Sequence, residues 1–297
     1  MGYGSYSASD WARLRDSRKL SDEQEVDEVF KNKTCNPRLN PRYIGKRECF
    51  DSAEHPNTTP IVVGLDVTGS MGYLAVEIAS GALNELITKL YSTECVQDPA
   101  LMCAAYGDYQ DEFPLQVTQF ESDIRIAEQL LEIYFENRGS GQVVPTLLWE
   151  FLSRHTNIDA IQKRGKKGYV FTIGDSAPIR TEPKKIYPSL VSRVIGDNDN
   201  DLSRDLILRE VSQKFHVFHI MVDRTQRGNQ DCLPGRKIVI AETEIKSLPQ
   251  IIISTIQLQN GEDKEKILNQ WDPIEQPIVR KALDQLCITD DEQEINL

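Results

Sequence analysis

The segment Asp66-Val67-Thr68-Gly69-Ser70 brings one carboxylate and two hydroxyls to alternate positions beside a glycine, so that three oxygens can converge on one point. A hard divalent cation suits such a set. Mg²⁺ takes six oxygens in a near-octahedron at about 2.0 to 2.1 Å and keeps several waters, which one or two carboxylates with hydroxyls provide. The same residue types also satisfy the free N–H groups of a helix N-terminus. Asp66, Thr68 and Ser70 therefore read equally as a metal loop or as helix caps.

Such a loop must be held between a strand and a helix. The run from Pro60 to Leu65 is continuously apolar and rich in β-branched residues, as a strand buried on both faces of a parallel sheet requires. After the loop, Leu74, Ile78, Ala82, Leu86 and Leu90 recur at four-residue steps, the apolar stripe of a helix packed on a sheet. Further strands are expected at Leu101 to Ala105, Tyr169 to Ile173, His216 to Val222 and Lys237 to Ala241. Leu115 to Phe120 follows the second strand through Gly107-Asp108-Tyr109-Gln110-Asp111, short enough for an antiparallel hairpin. Helices are expected at Ile124 to Phe135, capped by Ser122 and ended by Gly139, at Thr146 to His155, at Leu202 to Phe215, and from Ser247 with Pro249 in the first turn. This alternation predicts an α/β fold: a doubly wound, mainly parallel sheet with one antiparallel edge strand and helices on both faces. Ligands of open parallel sheets bind beyond the carboxyl ends of the strands, so Asp108, after the second strand, is either a rim residue of the site or a turn residue.

An apolar strand ending in Asp-x-Thr-x-Ser, within this order of elements, resembles the von Willebrand factor A family and its metal-ion-dependent adhesion site. The resemblance spans residues 58 to 260. It implies a metal held by the first-loop hydroxyls, by a Thr from a second loop and by an Asp at a later strand end, with a partner's carboxylate completing the coordination. Asp66, Thr68 and Ser70 match the first loop, and Asp175 in Ile173-Gly174-Asp175-Ser176 matches the later acid. Within Arg138 to Thr146, Thr146 is taken as the second-loop ligand and Ser140 as its alternative. The family's usual Thr-Asp-Gly at the later strand end is replaced here by Gly174-Asp175-Ser176. The implied cofactor is Mg²⁺, with Mn²⁺ or Ca²⁺ able to substitute. The implied function is binding of a protein partner that presents Asp or Glu, without catalysis. Intracellular prokaryotic and phage-type members are the nearer likeness, and they work beside AAA+ ATPases or within multiprotein assemblies.

Two other functions compete. The first loop is also similar to the Asp-Lys-Thr-Gly-Thr loop of aspartyl-phosphate enzymes, with Gly174-Asp175 and Gly196-Asp197 as acidic Gly-Asp segments; Asp66 would then be a nucleophile. Val67 stands where that loop has Lys, and Thr68 where soluble phosphatases of that fold carry a general acid. Alternatively the domain is a metal-free structural scaffold. Neither GxGxxG nor GxxxxGK[ST] occurs, which removes the common phosphate-cradling loops. His55, His155, His216 and His219 form no catalytic set, and the two in the strand are expected to be core or edge groups.

The composition of the whole chain agrees with a soluble folded body. Its 297 residues contain 39% hydrophobic and 27% charged residues, within globular averages. A net charge of −12 opposes a nucleic-acid partner, and the basic run Lys163-Arg164-Gly165-Lys166-Lys167 reads as a solvated loop. No apolar stretch approaches the ~20 residues that span a bilayer, and no secretion signal is apparent, so a cytoplasmic location is expected. Cys35, Cys49, Cys95, Cys103, Cys232 and Cys287 lack metal-site spacing and are expected to be reduced thiols. Three parts are expected: a polar N-terminal extension over 1–58, the α/β domain over 59–260, and a helical segment with an acidic tail over 261–297.

Overall fold

The apolar runs form strands, and the four-residue stripes form helices that cover them. The computed structural model describes residues 4–21, 23–136, 143–175, 188–198, 203–223 and 233–288, with the side chain of Ser70 also outside the description. Eight strands are present among these residues: β1 (Arg47–Cys49), β2 (Thr59–Asp66), β3 (Pro99–Tyr106), β4 (Leu115–Val117), β5 (Thr156–Ile158), β6 (Gly168–Gly174), β7 (Phe215–Asp223) and β8 (Lys237–Ala241). Six make the central sheet in the order β4-β3-β2-β6-β7-β8, and β1 pairs with β5 apart from it. The central pairs are parallel except β3 with β4, where Ala104 faces Val117 in antiparallel register.

The two faces of β2 enter different cores. Ile61, Val63 and Leu65 join Leu74, Ile78, Leu86 and Ile252 on one side, while Val62 joins Leu148, Phe151 and Val217 on the other. All five residues of the expected stripe, Leu74 to Leu90, are buried. Their helical segment runs as Gly72–Glu77, a π-type turn over Ile78–Ala82, and Leu83–Thr93. Helices Pro145–Arg154 and Arg204–Ser212 pack in the second core; Leu248–Gln259 lies in the first. The architecture is thus mixed α/β around a mostly parallel sheet. Among the described residues no helix is long and apolar enough to cross a membrane.

The first 58 residues do more than extend from the sheet. Trp11, Leu14, Leu20, Val29, Phe30 and Leu39 are buried in the same core as Leu74 and Ile252. Val117 donates its N–H to Leu39 O at 2.8 Å, so this segment also covers the edge strand β4, whose backbone would otherwise be open to another chain. At the other terminus, helices Lys264–Asn269 and Gln276–Leu283 pack on Leu248–Gln259, with Trp271 Nε1 donating to Ser254 Oγ at 2.7 Å.

The helix expected at Leu202 to Phe215 ends at Ser212, and Phe215 opens β7. The helix expected at Ile124 to Phe135 differs more. It spans Arg125–Leu130 instead of reaching Phe135, and Ser122 does not cap it. Asp123 Oδ1 takes the N–H of Arg125 at 3.0 Å, and the Ser122 carbonyl accepts from Tyr6 N and Tyr91 Oη. A carboxylate nearer the first turn displaced the hydroxyl. Gly139 lies outside the described residues.

Candidate functional site

β2 ends between β3 and β6, and the chain leaves β2 toward β3 but leaves β6 toward β7. Connections therefore diverge at the β2/β6 boundary, the position where open sheets leave a crevice. Asp66 is the last residue of β2 and Gly174 the last of β6.

Asp66 is buried and its two oxygens differ. Oδ1 accepts from the backbone N–H of Thr68 at 2.9 Å and from Thr68 Oγ1 at 2.7 Å. Oδ2 is shielded from solvent and has no hydrogen-bond partner among the described residues. Burial pushes the Asp66 carboxyl up to about 7; the Thr68 hydrogen bonds oppose this, and the charges of Asp175 and Asp111 add to it. Because Thr68 spends its hydroxyl proton on Asp66, its oxygen retains lone pairs for a cation. Thr68 makes this use of its hydroxyl instead of capping, and the 3₁₀ turn Gly69–Met71 that follows has no side-chain cap.

The second loop reaches the same edge. Val143 forms a bridge with Asp108, and Val144 donates to Gly107 O at 3.1 Å, next to Tyr106, the register partner of Asp66. Pro145 then opens the helix, fixing φ where no N–H is needed, and Thr146 follows. Thr146 is fully buried, and its Oγ1, like Asp66 Oδ2, lacks a partner among the described residues. The helix lies close to β2 because residue 64 is glycine: a Cβ there would stand 2.5 Å from Leu148 Cδ2. Ser140 lies outside the described residues, as does the side chain of Ser70.

Asp175 follows β6 and is half-buried, and its charge acts on Asp66 and on Tyr106. Asp108 takes the turn role: its Oδ1 accepts from Gln110 N at 3.0 Å. Two residues at this edge escaped the sequence reading. Asp111 is buried, accepts the N–H of Asp108 on Oδ2 at 2.8 Å, and acts on Asp66. Tyr106 passes over Gly64 of β2 and donates from Oη to Ile173 O on β6 at 2.8 Å, tying the strand ends together. The available signal was a glycine near an acid at each strand end, Gly107 four residues before Asp111 and Gly174 directly before Asp175; nothing local marks Tyr106. A Cβ on Gly107 would meet Asp111 Oδ2, and one on Gly174 would lie 3.0 Å from Asp66 Oδ2.

The histidines lie elsewhere. His219 Nδ1 shares a buried hydrogen bond with Thr172 Oγ1 at 2.9 Å, and His155 lies between Gly45 O at 2.9 Å and Asp197 Oδ2 at 2.7 Å, at the far end of the helix that Pro145 opens. Among the described residues no group of three or more His, Cys, Asp or Glu is placed to hold a metal ion. Any cation at this edge would depend on the hydroxyls of Thr68 and Thr146 with the carboxylates of Asp66 and Asp175. That all-oxygen set, with two buried oxygens lacking a partner, fits a hard divalent ion. The described cysteines are free thiols, with Cys35, Cys49, Cys95 and Cys103 buried and Cys287 exposed.

No family model matches the chain, and no curated protein does. Among solved structures, the pilus adhesin SpaC from Lactobacillus rhamnosus GG in its open conformation superimposes with a TM-score of 0.45 at 9% identity, over 73% of this chain and 31% of that one. A second form of the same adhesin gives a TM-score of 0.45 at 9% identity over 72% and 31%. The chain thus spans about a third of that adhesin's length.

Proposed function

We propose that this chain is a metal-dependent protein-interaction module of the von Willebrand factor A type, with a doubly wound sheet and an adhesion-type Mg²⁺ site at the end of β2. The observation that carries the reading is the divided state of Asp66: one oxygen orients the Thr68 hydroxyl, and the other is buried without a donor among neighbouring acids. A carboxylate in that state is poorly supported without a cation.

Asp66 and Thr68 would hold the ion from the first loop together with Ser70, Thr146 from the second, and Asp175 from the third. Bound there, Mg²⁺ would supply an electrophilic position for an Asp or Glu side chain of a protein partner. Mn²⁺ or Ca²⁺ would serve in its place. Asp66 fixes the Thr68 hydroxyl proton, Tyr106 holds the ends of β3 and β6 together across β2, and Gly174 leaves room for the Asp66 carboxylate. A cytoplasmic setting beside an AAA+ ATPase or within a multiprotein assembly belongs to the same proposal.

Against an aspartyl-phosphate enzyme, Val67 stands where that loop has Lys, and Thr68, where the general acid would stand, gives its hydroxyl proton to Asp66 Oδ1. A metal-free scaffold gains nothing from two buried unsatisfied oxygens at one sheet edge.

Titration calorimetry of EDTA-stripped protein with Mg²⁺ and Mn²⁺ tests the reading. Saturable binding that is lost in Asp66→Ala and Asp175→Ala, without phosphatase turnover, is the expected result. Unchanged binding in both variants would overturn the site, and turnover that depends on Asp66 would overturn the function.

A further inference from the structure

Both outer strands of the central sheet are covered, but the two covers differ in how firmly they are held. At β4, Val117 donates its N–H to Leu39 O at 2.8 Å and accepts at its carbonyl from Arg47 Nη2 at 2.7 Å, and Leu39 is buried in the core. At β8, Val239 donates to Gln285 Oε1 at 2.9 Å and accepts from Gln285 Nε2 at 3.0 Å. One side-chain amide thus serves both polar groups of an edge residue. Cys287 N adds a bond to Gly235 O at 3.0 Å, just before the strand. None of residues 284–288 is buried, whereas Val279, Ala282 and Leu283 of the preceding helix are. This cover can leave without the helix, because little apolar area goes with it.

The direction of these bonds shows what kind of strand the edge fits. His219 N of β7 donates to Arg236 O at 3.0 Å, so Arg236, Ile238 and Ile240 turn their backbone groups toward β7, and Lys237, Val239 and Ala241 turn theirs outward. An edge residue that gives its N–H and its carbonyl to the same partner has the pattern of one hydrogen-bonded pair in an antiparallel ladder. Gln285 imitates a single such pair. Glu244 Oε2 accepts the Ala241 N–H at 2.8 Å, and Lys281 Nζ lies 2.9 Å from both Glu244 carboxylate oxygens, so the rung at Val239 is the one that Gln285 alone controls.

We propose that β8 is an interaction surface for a second copy of this chain, paired antiparallel about a two-fold axis at Val239, and that Gln285 is the removable group that keeps it closed. Set antiparallel to itself, the strand Lys237-Ile238-Val239-Ile240-Ala241 places Val239 opposite Val239, Ile238 opposite Ile240 and Lys237 opposite Ala241. β-Branched residues then meet and no like charges do, whereas a parallel pair in register would set lysine beside lysine. The same patch serves both copies, so the association closes as a dimer. The proposal is independent of the metal site.

Sedimentation equilibrium of the full chain, in EDTA so that no metal takes part, tests this. The wild type should be monomeric at about 10 µM, and Gln285→Ala should dimerise at least about tenfold more tightly than the wild type. Val239→Pro removes an outward N–H and leaves the ladder to β7 intact; added to Gln285→Ala it should abolish the dimer, with circular dichroism to verify the fold. If that double variant unfolds, protection of the Val239 amide from hydrogen exchange, rising with concentration in Gln285→Ala, reads the same contact. A Gln285→Ala chain that is monomeric at about 200 µM, or that associates no more tightly than the wild type, overturns the proposal. A dimer retained in the folded proline variant, or a Val239 amide that exchanges equally fast at every concentration, overturns it as well. Uptake of a synthetic 281–288 peptide by monomeric Gln285→Ala would assign the edge to the chain's own terminus and overturn pairing between copies.

Discussion

Asp66 and Gly174 end adjacent parallel strands, and the place where residue 174 would carry a Cβ lies 2.9 Å from Asp66 Cβ and 3.0 Å from Asp66 Oδ2. The glycine is there for the carboxylate. Gly174 stands directly before Asp175, and the Asp66 side chain occupies the space that a side chain at 174 would take.

Gly174→Ala should therefore damage the site and the fold together. The added methyl would also stand 2.9 Å from Tyr106 Oη, which is fully committed to Ile173 O. Overpacking of this kind costs about 1 to 3 kcal/mol. Urea unfolding should show that loss, and calorimetry should show Mg²⁺ binding weakened about tenfold or more. A variant as stable as the wild type, with equal metal affinity, would mean that the strand ends yield easily.

The raised carboxyl of Asp66 makes a prediction about pH. Its folded value of about 7 lies above the usual 3.8, so between these values the folded chain holds a proton that the unfolded chain has released. Stability from this group is full below about pH 4 and is withdrawn as pH rises to about 7. Without metal, the wild type should lose about 2 to 3 kcal/mol between pH 5 and pH 8 relative to Asp66→Asn, from the arithmetic of about 1.4 kcal/mol per pKa unit. Mg²⁺ should restore most of that loss at pH 8. Parallel pH profiles for wild type and variant in EDTA would show that Asp66 ionises normally.

What could be read from the sequence was whatever is local or periodic. The run Pro60 to Leu65 announces a strand buried on both faces, and the Leu74 to Leu90 stripe announces its helix, because period and burial are coupled. The pairing of Asp66 with Thr68 is likewise local, two residues apart in the chain. Asp111 was hidden because its role comes from a loop folding back on Asp108, and Gly174 because its cause is a side chain on another strand. For Trp11 the sequence leaves a docking arm and packing on the domain both open, and Phe30 gives no signal, because isolated apolar residues among polar ones make no stripe long enough to announce a core.

A further test concerns how the second loop is positioned. A Cβ at position 64 would lie 2.5 Å from Leu148 Cδ2, so the helix that carries Thr146 rests directly on the backbone of β2. Gly64→Ala should cost about 1 to 2 kcal/mol net, the clash exceeding the backbone gain of removing a strand glycine. Leu148→Ala alone should cost about 2 to 5 kcal/mol as a buried cavity. Combined, the two should cost at least about 1 kcal/mol less than their sum, measured by a double-mutant cycle in urea. Strict additivity would show that the helix can shift to absorb the methyl, and that its register over Asp66 is not fixed by Gly64.

The N-terminal segment separates two accounts of the molecule. As a detachable docking arm it could be altered without affecting the stability of the sheet. Instead Trp11 is 6% exposed within the main core, and Val26 lies so close to Gly72, just past the loop that follows Asp66, that a Cβ there would meet Val26 Cγ2 at 2.4 Å. Trp11→Ala should therefore destabilise the whole chain by about 3 to 5 kcal/mol, in a single cooperative unfolding transition. Coincident far-UV circular dichroism and tryptophan fluorescence transitions, both shifted to lower urea, are the expected record. An unshifted main transition preceded by a small separate one would show that the first segment folds onto the sheet as an independent unit, and that the loop carrying Asp66 stands without it.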